Sequence, residues 1–338
     1  MKNVIKTLEI KNFKSIKQLK LDCGRVNVFI GEPNTGKSNI LEALGLLSYI
    51  CYGSPASLSS FVRFENFDDL FYDRNLDESM KIGFVLLSGE HGSLEVSYKD
   101  MRFKGSFKGR LNGRDIDTSV FEFDFEDSRD KTFLNELSLF KFYRFIVKSV
   151  FERPESDFLL PPHGDNLFSL LMGSKDIKSL ASQILNQFGL KLVFNRVEKR
   201  IEVLKQYEDV FILFPYSLVS ETIQRIIFYL AAIKSNKDSV LVFEEPEAHA
   251  FPFYTKYLAE RIALDENNQY FISTHNPYLL CPIIEKAKSV RVFLTYLRGY
   301  RTKVKPLSKA DLEKVLDLDL DVFFKIKELL GESKNDSR

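Results

Sequence analysis

The sequence predicts an α/β fold in which a mostly parallel central sheet with flanking helices is split by a mixed α+β middle lobe. Three apolar runs, at residues 26–30, 240–243 and 270–273, each end in a glycine-rich or polar turn, as buried parallel strands do. Apolar residues at helical spacing follow the first run and recur at 223–230. Between these parts, alternation that is clearest at 121–126 indicates antiparallel strands.

Changes in this pattern divide the chain into four segments. We expect residues 1–80 to form the N-terminal part of the central fold, 81–206 the inserted lobe, 207–331 the C-terminal part, and 332–338 a disordered tail. Further predictions are a helical region at 132–151, an amphipathic helix closed by Gly189, a parallel strand at 210–214, a strand near 290–297 and a helix that begins at Ser308.

The composition excludes several classes of protein. Lys and Arg number 48 against 47 Asp and Glu, so the formal charge of +1 gives no global field that would attract nucleic acid. Three widely spaced cysteines argue against a disulfide framework or a thiolate metal site. The N-terminus lacks the apolar core of a signal peptide, and no apolar run approaches the roughly 20 residues of a membrane span. We therefore expect a soluble, cytoplasmic protein.

A phosphate-binding loop is predicted at residues 31–38, which match G-x-x-x-x-G-K-[ST] between a predicted strand and a predicted helix. Gly31 and Gly36 let the backbone curl so that its N–H groups point at phosphate oxygens. Lys37 supplies a cation to the β and γ phosphates of ATP, and the Ser38 hydroxyl is placed to ligate Mg²⁺. The alternative is a glycine-rich loop before a helix that binds no ligand.

Two adjacent carboxylates, Glu244 and Glu245, follow the second apolar run. They are costly to keep ionised at the end of a buried strand unless a cation lies nearby, and Mg²⁺ would supply that charge. Glu244 would hold the metal through water, and Glu245 would orient the attacking water or accept its proton. The alternative is a solvated acidic turn, which Pro246 would suit.

His275 follows the third apolar run and is therefore expected at the same edge of the sheet, where ligands bind in open α/β folds. From there it could hydrogen-bond the γ phosphate and report its presence. A surface or capping histidine is the alternative.

These three motifs, in this order, resemble the ABC-type ATPases that include the SMC, RecF and OLD (overcoming lysogenization defect) proteins. The chain looks most like their small stand-alone AAA-type members, on the strings at 10–16, 36–44, 244–249 and 274–277. The resemblance implies an ABC-type P-loop fold without coiled coil or nuclease domain, and Mg²⁺-dependent ATP hydrolysis. It implies Glu245, His275 and Lys37 as catalytic residues, Ser38 and Glu244 as metal ligands, and as nucleotide-binding residues Gly31, Asn34, Thr35, Gly36, Lys37, Ser38, Asn39, Lys14 and Ser220.

The resemblance also implies a head-to-tail homodimer with two ATP molecules sandwiched between the subunits. The matching signature segment is 217–225, where Ser220 would cap a helix that points at the partner's γ phosphate. An ordinary capped core helix is the alternative. Two departures stand out: Thr222 replaces the usual Gly, and no Gln lies between Gln18 and Gln183, where a Mg²⁺-sensing Gln is expected. With these departures we expect either that hydrolysis is slow or that another residue replaces the missing Gln. In addition, Glu244 stands where many relatives carry Asp.

Three functions remain open at this point. The chain could be an ATP-driven switch that acts on an effector protein, a DNA-associated ATPase in repair or phage defence, or a weakly hydrolysing nucleotide sensor or scaffold. A DNA role would need a basic stripe, for which the alternating residues Lys11, Lys14, Lys17 and Lys20 are a candidate. The turn-rich loop at 160–167 has no assignment, since His163 and Asp165 are too few for a metal site.

Overall fold

The computed structural model describes residues 3–53, 56–123, 128–152 and 156–330; the predicted tail at 332–338 and the end of the alternating stretch at 124–126 lie outside them. The helices are α1 (Lys37–Tyr52), α2 (Leu167–Gly173), α3 (Lys175–Asn186), α4 (Glu221–Ser235), α5 (Pro252–Leu264), α6 (Pro277–Lys286) and α7 (Lys309–Leu318). The strands are β1 (Ile5–Phe13), β2 (Ile16–Asp22), β3 (Val26–Gly31), β4 (Met80–Leu86), β5 (His91–Lys99), β6 (Arg102–Leu111), β7 (Arg114–Phe123), β8 (Ser128–Lys131), β9 (Phe140–Tyr143), β10 (Leu190–Asn195), β11 (Arg200–Tyr207), β12 (Val210–Pro215), β13 (Val240–Glu244), β14 (Gln269–Ser273), β15 (Val290–Arg298) and β16 (Arg301–Pro306).

Six strands form what we name the core sheet, in the order β16-β15-β3-β14-β13-β9. Strands β15, β3, β14, β13 and β9 are parallel, and β16 joins the edge antiparallel to β15. Three of the four predicted parallel strands are thus confirmed as the neighbours β3, β14 and β13. Because parallel strands end at one edge of a sheet, the segments after these three strands lie side by side.

Helix α1 is buried between the core sheet and a second, seven-stranded sheet. Its Ile40, Leu41, Leu44 and Leu47 share one apolar cluster with Phe29 of β3 and with β1 side chains. A helix that is apolar on nearly all sides is stable only when it is enclosed in this way. The enclosure fixes the N-terminus of α1, and with it the predicted phosphate loop, against the end of β3.

Helices α4, α5 and α6 cover the other face of the core sheet. Val26, Val28 and Ile30 alternate with Phe29 along β3 and point into this second apolar cluster, which also holds Ile226 and further residues of the three helices. Each face of β3 therefore packs on a different layer. The strand is anchored on both sides, as expected for the strand that carries a ligand-binding loop.

The seven-stranded sheet, which we name the large antiparallel sheet, has the order β2-β1-β4-β5-β6-β7-β8. Strand β4 pairs with β1 of the N-terminal hairpin, so strands from the predicted lobe continue a sheet that begins in residues 1–80. Strand β9, also within 81–206, enters the core sheet beside β13. The lobe boundaries at 80 and 206 stay a prediction, while strand pairing crosses both of them: β1 pairs with β4, and β11 pairs with β12.

Two predictions of secondary structure were wrong. Residues 132–151 were predicted helical, but they contain a 3-10 turn at Asn135–Leu137 and the buried strand β9, whose aromatic side chains suit a strand. Residues 210–214 were predicted to be a parallel strand, but β12 is the edge of the three-stranded antiparallel sheet β10-β11-β12. Its Phe211 is 61% exposed. A short apolar run does not by itself tell a buried strand from an exposed edge.

Other local predictions are confirmed. Helix α3 ends at Asn186 and is followed by Gly189 with a positive φ of 69°, and the predicted strand near 290–297 is β15. Helix α7 begins with a capping box in which Ser308 and Asp311 exchange side-chain hydrogen bonds with each other's backbone N–H groups. Within the described ranges, no helix combines the length and apolar character needed to cross a membrane.

Candidate functional site

The predicted phosphate loop connects buried β3 to the first turn of α1. Gly36, the residue before α1, has a φ of 94°, a conformation that side-chain-bearing residues rarely adopt. A Cβ atom at Gly36 would lie 2.1 Å from Thr302 Oγ1, and one at Gly31 would lie 2.3 Å from the Thr295 carbonyl oxygen. Both glycines are therefore required by the close approach of β15 and β16 to the loop.

Threonines of the β15–β16 hairpin hold the loop in place. Thr35 Oγ1 lies 2.7 Å from Thr295 Oγ1 and donates to the Glu32 carbonyl, while Thr302 Oγ1 donates to the Thr35 carbonyl at 3.0 Å. On the adjacent side, Asn39 Nδ2 donates to Ser15 Oγ at 2.7 Å. These hydrogen bonds within the protein fix the shape of the phosphate loop. Thr295 and Thr302 were missed in the sequence because they follow the loop by about 260 residues and match no motif.

Lys37 is buried inside the loop. Its Nζ donates to the carbonyl oxygens of Gly31 at 2.9 Å and of Glu32 at 2.8 Å. Burial lowers the pKa of Lys37 to about 8, against the opposing effect of the carboxylates of Glu245 and Glu32. Next to it, half-buried Ser38 lies in the same first turn of α1.

The acidic strand end and the histidine strand end meet beside this loop. Glu245 N donates to the Ser273 carbonyl at 3.1 Å, and His275 Nε2 lies 3.3 Å from Glu245 Oε1. The hydrogen bond from His275 lowers the pKa of Glu245, and the positive charge of Lys37 acts in the same direction. The structure therefore brings together Lys37, Glu245 and His275, the three residues predicted to be catalytic.

Glu245 adopts an unusual backbone conformation, with a φ of 42°. A non-glycine residue in the left-handed region costs on the order of 1–3 kcal/mol and persists only when its surroundings impose it. Here the imposed turn directs the carboxylate toward His275 while Glu244 completes β13. The two adjacent carboxylates consequently have different partners.

Glu244 belongs to a group of five charged residues that we name the arginine–glutamate cluster: Lys14, Glu42, Arg63, Arg144 and Glu244. Arg63 NH2 lies 2.9 Å from Glu244 Oε1, and Arg144 NH2 lies 3.0 Å from Glu244 Oε2. Fully buried Glu42 accepts from Arg63 Nε at 2.7 Å and pairs with Lys14. Sequence reasoning missed both arginines, and Arg144 was hidden because residues 132–151 were interpreted as a helix.

An open pocket of about 620 Å³ adjoins this cluster. Lys14, Ser15 and Arg63 lie on its wall, and Ser15 in turn contacts Asn39 of α1. Lys14 and Asn39 were both predicted to bind nucleotide, and the structure places them on either side of Ser15.

Glu247 is buried and contacts the histidine strand end. Its Oε1 accepts from Thr274 Oγ1 at 2.5 Å and from His275 N at 3.3 Å, whereas its Oε2 is buried with no hydrogen-bond partner among the described residues. Burial raises the pKa of Glu247 to about 7. This carboxyl group ties the acidic turn to the backbone of His275.

Ser220 occupies the predicted N-cap position of α4, but its hydroxyl forms no capping hydrogen bond. The Ser220 carbonyl accepts from Ile223 N at 3.0 Å, and the residue is exposed. Thr222, the departure from the usual Gly, donates through Oγ1 to the His249 carbonyl at 2.9 Å. The signature helix is thereby attached to the turn that follows Glu247.

A sequence profile of the family described as "AAA domain, putative AbiEii toxin, Type IV TA system" matches residues 26–280, which is most of the chain. The chain belongs to this AAA-domain family. The match extends from the phosphate-loop strand through the histidine strand end. Within that range lie the sites predicted for phosphate, acid and histidine, and the recognition of a small ABC/SMC/RecF-like P-loop ATPase is confirmed.

Two relatives match parts of this chain. An uncharacterized protein of Methanocaldococcus jannaschii is 25% identical over 169 residues, covering 41% of this chain and 74% of that protein. The DNA replication and repair protein RecF of Caldanaerobacter subterraneus subsp. tengcongensis is 37% identical over 113 residues, which are 32% of this chain. The chain spans only 30% of that RecF.

Solved structures show the same fold. An Smc head bound to the C-winged helix domain of ScpA has a TM-score of 0.57 at 17% identity, over 92% of this chain and 99% of that one. An Smc head domain with an extended coiled coil, bound to the C-terminal domain of ScpA derived from Pyrococcus furiosus, has a TM-score of 0.55 at 14% identity, over 93% and 98%. The predicted ABC-type P-loop fold is confirmed.

Proposed function

We propose that this chain binds and hydrolyses ATP with Mg²⁺ and uses the cycle as a molecular switch. The observation that carries the proposal is the meeting of Lys37, Glu245 and His275 at one edge of the core sheet, next to a preformed phosphate loop. An acid, a buried lysine and a loop rich in backbone N–H groups are the parts that phosphoryl transfer requires.

The residues present fit ATP and Mg²⁺. Gly31 and Gly36 keep the loop free of Cβ atoms, so the backbone can approach phosphate oxygens. The Ser38 hydroxyl and the Glu244 carboxylate are oxygen donors, the kind that Mg²⁺ prefers. Held by Ser38 and Glu244, Mg²⁺ would neutralise phosphate charge. We propose that Lys37 contacts those phosphates and that Asn34, Thr35, Asn39 and Lys14 complete the nucleotide site.

Glu245 is the residue we propose to activate water. Its lowered pKa keeps the carboxylate ionised near neutral pH, which is the form that accepts a hydrogen bond or a proton from water. His275 holds that carboxylate through Nε2 and lies at the strand end where a γ phosphate would be sensed. A carboxylate that is oriented by a second group resembles the arrangement of many general bases.

We further propose that two chains close head to tail on ATP, with Ser220 of one chain over the nucleotide of the other. The exposed position of Ser220 and its unused hydroxyl support this role, since a helix N-terminus offers N–H donors to an anion. The Smc heads are seen bound to domains of ScpA. By analogy with these Smc heads, this switch acts on a separate effector protein.

The test is complementation between two inactive variants. Lys37→Ala removes the main phosphate contact, and Ser220→Arg blocks the signature, so neither variant alone should hydrolyse ATP. In a mixed dimer, one site carries both defects and the other pairs an intact loop with an intact signature. Mixing equal amounts should therefore restore turnover, up to about a quarter of the wild-type rate if subunits exchange randomly and sites are independent.

Two results would contradict parts of this proposal. No Mg²⁺-dependent turnover by the wild-type protein excludes the ATPase function in this chain. Suppose that the wild type hydrolyses ATP and that subunits are shown to exchange, but the mixture has no activity. Then either Ser220 does not act on the partner's nucleotide or the two sites are strictly coupled. Light scattering with and without ATP shows whether the chain forms a nucleotide-dependent dimer. Only if it does can a silent mixture be attributed to Ser220 or to strict coupling of the two sites.

A DNA-associated ATPase is the second candidate, favoured by the match to the DNA replication and repair protein RecF. The alternating lysines do not support it. Lys11 pairs with Glu9 and Lys17 pairs with Glu78, while Lys14 is proposed to belong to the nucleotide site. A DNA role predicts that duplex DNA stimulates hydrolysis and that salt weakens this effect steeply, whereas the switch predicts a rate that does not depend on DNA.

A further inference from the structure

Arg144 has no role in the mechanism proposed so far, although it lies at the ligand edge of the core sheet. It follows β9, which runs parallel to β13 with Tyr143 opposite Phe243, so Arg144 comes directly beside Glu244. Its guanidinium NH2 lies 3.0 Å from Glu244 Oε2. The other oxygen, Oε1, accepts from Arg63. Both oxygens of the proposed metal carboxylate are therefore occupied by arginines.

A guanidinium group carries donors only and cannot ligate a metal, but it binds carboxylate and phosphate oxygens equally well. In the arginine–glutamate cluster, three cationic side chains face two carboxylates, which leaves one positive charge in excess. If Mg²⁺ takes the place of a guanidinium at Glu244, that excess rises. A nucleotide phosphate arriving with the metal would then be the acceptor for the displaced arginine.

The backbone of Arg144 is fixed by the loop at 160–167, which sequence reasoning left unassigned. Arg144 N donates to the Pro162 carbonyl at 3.0 Å, and His163 Nδ1 lies 2.8 Å from the Arg144 carbonyl oxygen. The guanidinium also lies over the ring of Phe142, 5.2 Å from its centroid. The side chain is only 23% exposed, whereas that of Arg63 is 58% exposed. Arg144 is thus the more buried of the two partners of Glu244.

We propose that Arg144 is an exchange residue of the nucleotide site: it neutralises Glu244 until Mg²⁺ binds there, and then contacts a phosphate oxygen of the nucleotide. The inference rests on the proposed ATP site. Arg144 lies within the interval between Gln18 and Gln183, in which a Mg²⁺-sensing Gln was expected and none occurs. The inference also assigns a structural role to the 160–167 loop, which holds the backbone of Arg144.

The exchange has a signature in nucleotide binding that a purely structural ion pair lacks. Glu244→Gln removes the carboxylate charge and frees Arg144, so ATP affinity measured in EDTA should rise by about three- to tenfold. Adding Arg144→Gln to that variant should cancel the gain. Arg144→Gln alone should weaken Mg²⁺-ATP binding about tenfold while changing binding in EDTA by less than twofold, because Arg144 stays on Glu244 when metal is absent.

Isothermal titration of wild type, both single variants and the double variant measures these effects. Arg63→Gln in the Glu244→Gln background tells which arginine is responsible. The exposed pair of Arg102 and Glu122 on the large antiparallel sheet supplies matched controls, and neither Arg102→Gln nor Glu122→Gln should change any affinity. If Arg144→Gln is unfolded by circular dichroism, Arg144→Lys replaces it, since lysine keeps the charge but loses the planar fork.

The outcomes separate this inference from the proposed function. Wild type that binds no Mg²⁺-ATP overturns both. Wild type that binds Mg²⁺-ATP, together with a Glu244→Gln variant that gains nothing in EDTA, overturns the exchange and leaves the ATP site intact. A gain that persists in the Arg144→Gln double variant and disappears with Arg63→Gln assigns the exchange to Arg63 and rejects Arg144.

Discussion

Replacement of the buried carboxyl group of Glu247 by an amide should stabilise the protein at high pH relative to low pH. Glu247 is buried, and one of its oxygens has no hydrogen-bond partner among the described residues. Glu247→Gln keeps an acceptor for Thr274 and for His275 N but cannot ionise. The comparison isolates the cost of a buried charge from the cost of the altered contacts.

The magnitude follows from the pKa of Glu247, which burial raises from its ordinary value of 4.5 to about 7. Between these values the folded protein keeps the proton and the unfolded chain loses it, so the free energy of unfolding falls as pH rises. At about 1.4 kcal/mol per pH unit, the loss reaches about 3 kcal/mol by pH 7 and then stays constant. Stability from this group is therefore present below pH 4.5 and absent above pH 7.

The assay is urea unfolding of wild type and Glu247→Gln at pH 5 and pH 8. The amide costs a constant amount for its buried N–H groups, on the order of 1–3 kcal/mol, which cancels between the two pH values. The stability difference, variant minus wild type, should become more favourable to the variant by about 2–3 kcal/mol at the higher pH. The exposed residue Glu285 provides the control Glu285→Gln. A difference that is the same at both pH values would show that Glu247 is not a buried neutral acid.

Two further predictions concern the proposed catalytic residues. Glu245→Gln should bind ATP but hydrolyse it at least about a hundredfold more slowly, and dimers should accumulate in light scattering with ATP; a normal rate assigns catalysis elsewhere. Because burial lowers the pKa of Lys37 to about 8, ATP binding should weaken as pH rises from 7 to 9. Binding at pH 9 should be accompanied by uptake of a proton, which calorimetry in buffers of different ionisation enthalpy measures. Binding without proton uptake at pH 9 would show that Lys37 stays charged.

The parallel part of the fold was predictable because each of its central strands ends at a motif. The buried runs in β3, β13 and β14 stand out as apolar stretches, and each is followed by residues that a core would not tolerate without a partner. Strand β9 was missed because its four residues lie within an aromatic stretch that also suits a helix. What makes it a strand is its pairing with β13, a contact made across about 100 residues.

The candidate site divides in the same way. Lys37, Glu245 and His275 were found because short motifs name them, and their meeting follows from the shared edge of parallel strands. Arg63, Arg144, Thr295 and Thr302 lie in no motif, and only tertiary packing brings them to the site. Local patterns reveal groups that act on a common ligand, but not the groups that hold those residues in place.

Arg144 and Thr222 contact the two ends of one short segment, the turn that begins at Glu244. Arg144 binds Glu244 at the start of the turn, and Thr222, in place of the usual Gly, donates to the His249 carbonyl at its end. Between them, Glu247 fixes the turn to His275. The phosphate loop keeps its full pattern. Since Thr222 contacts the segment that carries Glu245 and not the loop that binds phosphate, its replacement of the usual Gly is expected to alter the rate of hydrolysis more than the affinity for ATP.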